Sequence, residues 1–304
     1  MKNIIITKNI EEANCITHSG EFHADEVFAT VILKRIIDTI IICRTEYIPR
    51  ELKENVIVYD IGYGKFDHHQ KGGNGIRENG IPFAACGLIW KSYGLTILKN
   101  YQNPEEIFKM IDKELVQGID AVDNGMPQYS SQLQNAMNIS QCIEEFNPVW
   151  NSNKDADLYF LEAVDFAEKI FNNKIEHVLS KLQAKEIVER AIEDSSNHIM
   201  ILQNDLPWQE FVLTSKNQKA KKIYMVVYPS KRGGYNWKCV PDKLGGFGQR
   251  KSVPKSWLGL KNEEYQKITG VRTATFCHPA GFCGGAKTLY DTVQLAKLAI
   301  NQKQ

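Results

Sequence analysis

Four short segments of this chain bring imidazole and carboxylate groups close together. They are "THSGEFHADE", with His18, His23 and Asp25; "VYDIG", with Asp60; "FDHHQ", with Asp67, His68 and His69; and "GIDAVDNG", with Asp120 and Asp123. Four of the seven histidines fall in the first quarter of the sequence, a clustering that surface decoration does not readily produce. Imidazole and carboxylate together suit manganese, iron, cobalt or zinc better than calcium, which prefers all-oxygen cages. A carboxylate can also bridge two such ions, an arrangement used in phosphoryl chemistry. Each segment alone is a weak signal. A strand-end aspartate commonly caps a helix or turn, and two adjacent histidines can sit in a polar loop without a role. The combination points to a metal site.

Such ligands need a scaffold that gathers them. "NCITHS" reads as a strand ending at His18, and residues 25–38 as a helix with its acids in the first turn, where the helix dipole favours them. "TIIICRT" and "NVIVYD" are β-branched runs suited to buried parallel strands. "FAACGLIWKSYG" and "PEEIFKMIDKELVQGIDAVD" read as helices. This alternation predicts a parallel α/β domain, in which groups that follow strands are carried to one carboxyl edge. Over 155–193, Phe160, Val164, Ala167, Phe171, Ile175, Val178 and Leu182 recur at spacings of three and four, the apolar face of a long helix or helix pair. Beyond it come strands "HIMIL", "KIYMVVYP" and "YNWKCV", a Gly/Pro/Lys-rich stretch, strand "TATFCHPAG", a loop "FCGGAK" and a final helix. The expected organisation is an α/β metal-binding domain over 1–150, a helical connector over 151–195 and a smaller α+β domain over 196–304.

The bulk figures fit that plan. A chain of 304 residues with 43% hydrophobic and 24% charged residues is comfortable as two globular domains. A net charge of +1 does not suggest a nucleic-acid coat or a membrane-surface protein. No apolar stretch has the length of a membrane span, and the N-terminal segment meets acids too soon for a secretory signal, so a cytoplasmic protein is expected. Seven irregularly spaced cysteines with no CxxC are the usage of a reducing compartment. Cys277, His278 and Cys283 read better as structural residues than as a zinc site, because their spacing is too open.

The segment "HPAGFCGGAK" lies between a strand and a helix, so Gly281, Gly284 and Gly285 would let backbone N–H groups approach an anion. It nearly matches a P-loop, but Ala286 stands where glycine is required, which argues against a nucleotide triphosphatase. Arg250 and Lys251 in "FGQRKSVP" read equally as a phosphate clamp or as a solvated basic loop. Trp237 and Trp257 could stack a base, although packing is the stronger reading.

The order "H…HAD", "VYD", "DHH", "DAVDNG" resembles the DHH phosphoesterase superfamily, which includes RecJ-type nucleases, oligoribonucleases and manganese-dependent inorganic pyrophosphatases. "THSGEFHADE", "FDHHQ", "GIDAVDNG", "LPWQEF", "VPKSWLGL" and "HPAGFCGGAKT" resemble one branch nearly end to end, the melanocyte-proliferating-gene (Myg-type) exonucleases. That resemblance implies a parallel-sheet DHH domain, a helical connector and a smaller α+β domain, with the active site in the cleft between the domains. The implied activity is 3′–5′ exoribonuclease action on RNA or a short oligonucleotide, with two divalent ions activating water. Manganese is the favoured ion, with magnesium, cobalt or zinc as alternatives. A homo-oligomer is compatible with this reading and a membrane is not. Its rivals are another DHH-type phosphohydrolase (pyrophosphatase, cyclic dinucleotide or small phosphoester hydrolase) and a non-catalytic metal-binding scaffold.

By the same resemblance, His18 and His23 would hold one ion, Asp25 and His68 the other, and Asp60 would bridge them. Asp67 would orient the site, and His69 would face metal or substrate. Asp123 is preferred to Asp120 as the last ligand. In the second domain, His278 and Lys287 would touch a substrate phosphate beside Gly284 and Gly285. His23 stands where the wider superfamily mostly has aspartate. Three carboxylates against two divalent ions would leave the site near +1, which should strengthen its attraction for phosphate.

Overall fold

The structure, a computed structural model, describes residues 3–126 and 137–302. The chain divides into two compact units, Met1–Leu179 and Ser180–Gln304.

The first unit is built on a parallel sheet. Its strands are β1 (Asn3–Thr7), β2 (Cys15–His18), β3 (Thr39–Thr45) and β4 (Ile57–Val58), in the order β1-β3-β2-β4. Every pairing is parallel, with Cys15 beside Ile42 and Ile57 and Ile16 beside Cys43 and Val58. The β-branched runs sit in the sheet as expected. "NVIVYD" is shorter as a strand than its composition suggests. Asp60 adopts a left-handed φ of 57°, which ends the extended run and turns the chain into the 60–69 loop.

Helix α1 (Ala24–Ile36) follows β2 and packs on α2 (Ala85–Leu98). It carries acids in its first turn and Lys34 and Arg35 in its last, matching the dipole at both ends. The segment 104–123, read as one helix, is interrupted. Helices α3 (Pro104–Ile111) and α4 (Gln117–Asp123) flank a wide π turn, Asp112–Val116. Such a turn changes the phase of the residues after it and is frequent near functional sites. Helix α5 (Ile139–Glu144) is short, and α6 (Ala156–Glu193) is one long helix rather than a pair. Its predicted apolar face is buried at Phe160, Val164, Ala167, Phe171, Ile175 and Val178. Trp90 stacks on Phe108 at 5.1 Å and meets the edge of Phe171 at 5.8 Å, closing the core of this unit.

The second unit carries a five-stranded mixed sheet. Its elements are β5 (Ile199–Ile201), α7 (Gln209–Thr214), α8 (Gln218–Lys221), β6 (Met225–Pro229), β7 (Tyr235–Cys239), α9 (Asn262–Thr269), β8 (Ala274–Cys277), β9 (Cys283–Ala286) and α10 (Leu289–Asn301). The strand order is β5-β6-β7-β9-β8, with only β5 and β6 parallel. Trp237 and Trp257 are buried in its core with Tyr265 and Leu295, so packing accounts for both and neither ring offers a face to a base.

The loop expected at "FCGGAK" is a strand. Residues 283–286 form β9, between β7 and β8, with Gly284 opposite Trp237 and Cys277 and Gly285 opposite Asn236 and Phe276. A Cβ at Gly284 would lie 2.4 Å from Trp237 Cζ2 and 2.5 Å from the Phe276 carbonyl; one at Gly285 would lie 2.6 Å from the Tyr235 carbonyl. Close packing of the sheet and the indole requires glycine at both positions.

Candidate metal centre

The first-unit candidates converge at the carboxyl edge of the parallel sheet. His18 is the last residue of β2, His23 is the N-cap of α1, Asp60 follows β4, and Asp123 ends α4. A cavity of about 490 Å³ opens there, lined by His18, His23, Asp25, Asp60, His69 and Asp123 together with Glu21, Ser140 and Glu144.

The loop between His18 and His23 is held from outside. The Asn147 amide pairs with the Phe22 backbone in both directions: Phe22 N–H donates to Oδ1 at 3.0 Å, and Nδ2 donates to the Phe22 carbonyl at 2.8 Å. Arg44 donates to the Gly20 carbonyl at 2.8 Å and to Asp157 Oδ1 at 3.0 Å, with its guanidinium packed against the rings of Phe22 and Phe160. Gly20 has a φ of +84°, the left-handed turn that lets the chain reverse toward His23.

Asp25 is fully buried, and its two oxygens accept the Ala85 and Cys86 N–H groups at 2.8 and 2.6 Å, at the start of α2. Burial, and then the charges of Asp60 and Asp123, hold its carboxyl well above the usual carboxylate range. Asp60 is buried, and burial raises its carboxyl too, against the pull of His18. Its Oδ2 lies 3.3 Å from His18 Nε2 and its Oδ1 lies 3.5 Å from His68 Nδ1. Burial alone would lower the His18 imidazole, but hydrogen bonds to Asp60 and Glu26 outweigh it and raise the group to about 11. His68 Nε2 meets Asp123 Oδ2 at 2.8 Å, and this contact likewise overcomes burial to raise His68.

Asp67 organises the 60–69 loop. It accepts the Tyr63 N–H at 2.6 Å, the His69 N–H at 3.1 Å and the His69 Nδ1–H at 2.7 Å. Burial opposes ionisation, but these donors together lower its carboxyl. His69 lines the cavity and is half exposed.

Asp120 lies beside the site, its ligand atom within 4.8 Å of those of Asp25 and Cys86, and it is held by the scaffold. It accepts the Gly87 N–H at 2.9 Å and faces Arg77 at 2.7 Å; Arg77 also grips Asp112 of the π turn at 2.9 Å. Burial pushes the Asp120 carboxyl up to about 7 despite Arg77. A Cβ at Gly87 would lie 1.9 Å from Asp120 Oδ2, so the helix start and the carboxylate are fitted to one another.

The donor set fits divalent ions. Ligand atoms of Asp60, Asp67, His68 and His69 lie within 4.8 Å of one another, as do those of Asp25, His68 and Asp123, and those of His18, His23 and Glu26. Three buried polar atoms here, Glu26 Oε2, Asp60 Oδ1 and His68 Nδ1, have no hydrogen-bond partner. Buried polar atoms without a partner are costly and uncommon, and a cation would satisfy them. The sequence reading missed Glu26, which it took only as a dipole-matching acid, and also Arg44, Arg77 and Asn147. The one local sign for Glu26 was its place three residues after His23, the capping-box offset.

The remaining candidates belong to the second unit. His278 follows β8, accepts the Ala280 N–H on Nδ1 at 3.0 Å and packs on Phe282. Lys287 is exposed just before α10, with its N–H on the Thr273 carbonyl. Gly284 and Gly285 are interior strand residues, as described above. Arg250 donates through Nη1 to the Ala220 and Ile223 carbonyls at 2.5 and 3.1 Å and so ties down the end of α8. Lys251 donates to the Gln302 carbonyl at 3.2 Å.

The chain is similar to known proteins. A family model described as "Uncharacterised protein family (UPF0160)", the MYG1 exonuclease model, matches residues 14–300. The chain belongs to the MYG1 family. It is 30% identical to a MYG1 protein of Dictyostelium discoideum, over 94% of this chain and 96% of the relative. It is 29% identical to a MYG1 protein of Saccharomyces cerevisiae over 99% of both chains. A human relative named MYG1 exonuclease is 27% identical, over 94% of this chain and 85% of its own length. No solved structure matches significantly. Among the described residues of this MYG1-family chain, no helix is long and apolar enough to cross a membrane.

Proposed function

We propose that this MYG1-family chain is a metal-dependent nuclease of the DHH type, a 3′–5′ exoribonuclease with a dinuclear centre. The observation that carries the reading is the placement of Asp60. Its two oxygens face different histidines, Oδ2 toward His18 and Oδ1 toward His68, as a carboxylate shared by two ions would. The name exonuclease carried by mammalian relatives supports the nuclease class.

His18 and His23 would hold one ion, Asp25, His68 and Asp123 the other, with Asp60 between them. When bound, the ions supply Lewis acidity at phosphorus and acidify the attacking water. The chain's own residues do the rest. The start of α2 fixes Asp25 through two N–H groups, so that ligand needs no reorganisation. Asp67 accepts from His69 Nδ1 and thereby sets its tautomer and direction. His69 Nε2 is then placed to hold a proton for the leaving oxygen or to contact a phosphate. In the second unit, His278 and Lys287 are retained as candidate phosphate contacts.

The test is protein purified without chelator and a 5′-labelled RNA ladder with manganese, magnesium, cobalt or zinc. Progressive shortening from the 3′ end that needs an added ion supports the proposal. Equal cutting of circular and linear RNA would overturn the end-reading part, and hydrolysis of pyrophosphate or cyclic dinucleotides alone would move the chain to the other phosphohydrolases.

A further inference from the structure

Glu26 has a place in the site that helix capping does not explain. It is fully buried, at the third position of α1. Its Oε1 accepts the His23 N–H at 2.9 Å, the ordinary role of a glutamate at this position. The same Oε1 lies 3.0 Å from His18 Nε2, and Oε2 is buried without a hydrogen-bond partner. A cap alone would use one oxygen and leave the other in water.

The orientation of His18 decides what meets Glu26. His18 Nδ1 lies 3.1 Å from the Ser19 carbonyl, which can only accept, so Nδ1 carries hydrogen. Nε2 then turns its other edge toward Glu26 Oε1 at 3.0 Å and Asp60 Oδ2 at 3.3 Å. In the apo protein a proton on Nε2 draws the three atoms together, and a bound ion would take that proton's place between them. Two donors bound to one ion at about 2.1 Å stand about 3.0 Å apart at a right angle and about 3.4 Å apart at a tetrahedral angle. The observed spacings fall in that window. His23 completes the group, with its ligand atom within 4.8 Å of those of His18 and Glu26.

We propose that Glu26 is a ligand of the ion held by His18 and His23, and that it supplies the carboxylate for which His23 is the substitute. This rests on the metal-centre reading above. It revises the expected charge. Asp25, Asp60, Asp123 and Glu26 are four carboxylates against two divalent ions, so the site is near neutral rather than +1. Attraction for a phosphate then comes from fixed donors and open coordination positions, not from net charge.

Glu26→Gln separates the two roles, because glutamine still accepts the His23 N–H as a capping residue, while its neutral amide is a far poorer ligand. Apo protein is titrated with Mn²⁺ by calorimetry and with Co²⁺ by visible absorption. Glu26→Gln is expected to keep its helix content and melting temperature but to bind one of two ions at least roughly tenfold more weakly, with an altered cobalt spectrum. Glu26→Gln that takes up two ions with wild-type affinity and spectrum, while Glu26→Ala loses stability, would make Glu26 a cap only and overturn the inference. If Glu26→Gln does not fold, crystals of the wild-type protein soaked in Mn²⁺ decide. An anomalous peak within about 2.3 Å of a Glu26 oxygen supports the assignment, and a peak at His18 with Glu26 out of reach overturns it. Wild-type protein that takes up no divalent ion at all would instead fail the metal-centre reading itself.

Discussion

Arg77 faces Asp120 at 2.7 Å, three residues before the aspartate that meets His68. The two acids of "GIDAVDNG" therefore have different work. Asp120 fastens α2 and the π turn, and Asp123 reaches the site. Asp123→Ala is expected to keep the unfolding midpoint of the apo protein and to lose an ion. Asp120→Ala leaves Arg77 and the Gly87 N–H short of a buried partner and should cost about 3 kcal/mol of stability. Urea unfolding of apo protein beside a metal titration checks both. The reverse ranking would make Asp120 the ligand.

Ion uptake should release protons. The His18 imidazole stands at about 11 in the apo protein, so it is protonated at neutral pH, and an ion needs the Nε2 lone pair. Affinity is therefore expected to rise with pH from 6 to 8. Calorimetry at pH 7 in buffers of different ionisation enthalpy should show about one proton or more released per protein. A binding enthalpy independent of buffer would contradict this account of His18.

The ligand loop depends on a residue outside every motif. Asn147→Ala removes both hydrogen bonds to the Phe22 backbone and should cost about 1–3 kcal/mol. It should also weaken ion binding, because His23 follows Phe22. Asn147→Asp keeps the acceptor and loses the donor, so an intermediate effect is expected. Unchanged ion affinity in Asn147→Ala, measured by the same titration, would remove Asn147 from the support of the site.

Gly284→Ala tests the packing role of the glycine pair. The added Cβ meets Trp237 and the Phe276 carbonyl, so the second unit should lose about 1–3 kcal/mol. Ion content should not change. Tryptophan fluorescence during unfolding is the measure. Wild-type stability with weakened RNA binding would instead return Gly284 to the substrate.

The sequence was most legible where periodicity and burial agree. The β-branched runs became parallel strands, and the spacing from Phe160 to Val178 became one buried helical face, because both patterns follow from which side chains avoid water. The grouping of His18 and Asp60 was legible because strand ends share an edge; Asp25 and Asp123 reach the same place from the start of α1 and the end of α4. What failed to read was set by distant contacts. "CGGA" looks like a loop by composition, and only Trp237 lying across it makes a strand of glycines the better packing. "QRK" reads equally as a clamp or a solvated loop, and the sequence gives no sign that Arg250 donates to the carbonyls of Ala220 and Ile223. Glu26 hid as a helix-start acid because its second partner, His18, lies on another element.

The most direct test of the dinuclear account is the metal content of Asp60→Ala, measured by elemental analysis beside wild-type protein and assayed on 5′-labelled RNA. Asp60 stands between His18 and His68, so the account predicts that both ions weaken together and that 3′-end shortening is lost while the apo fold persists. An Asp60→Ala protein that retains two ions per chain and full activity would contradict it.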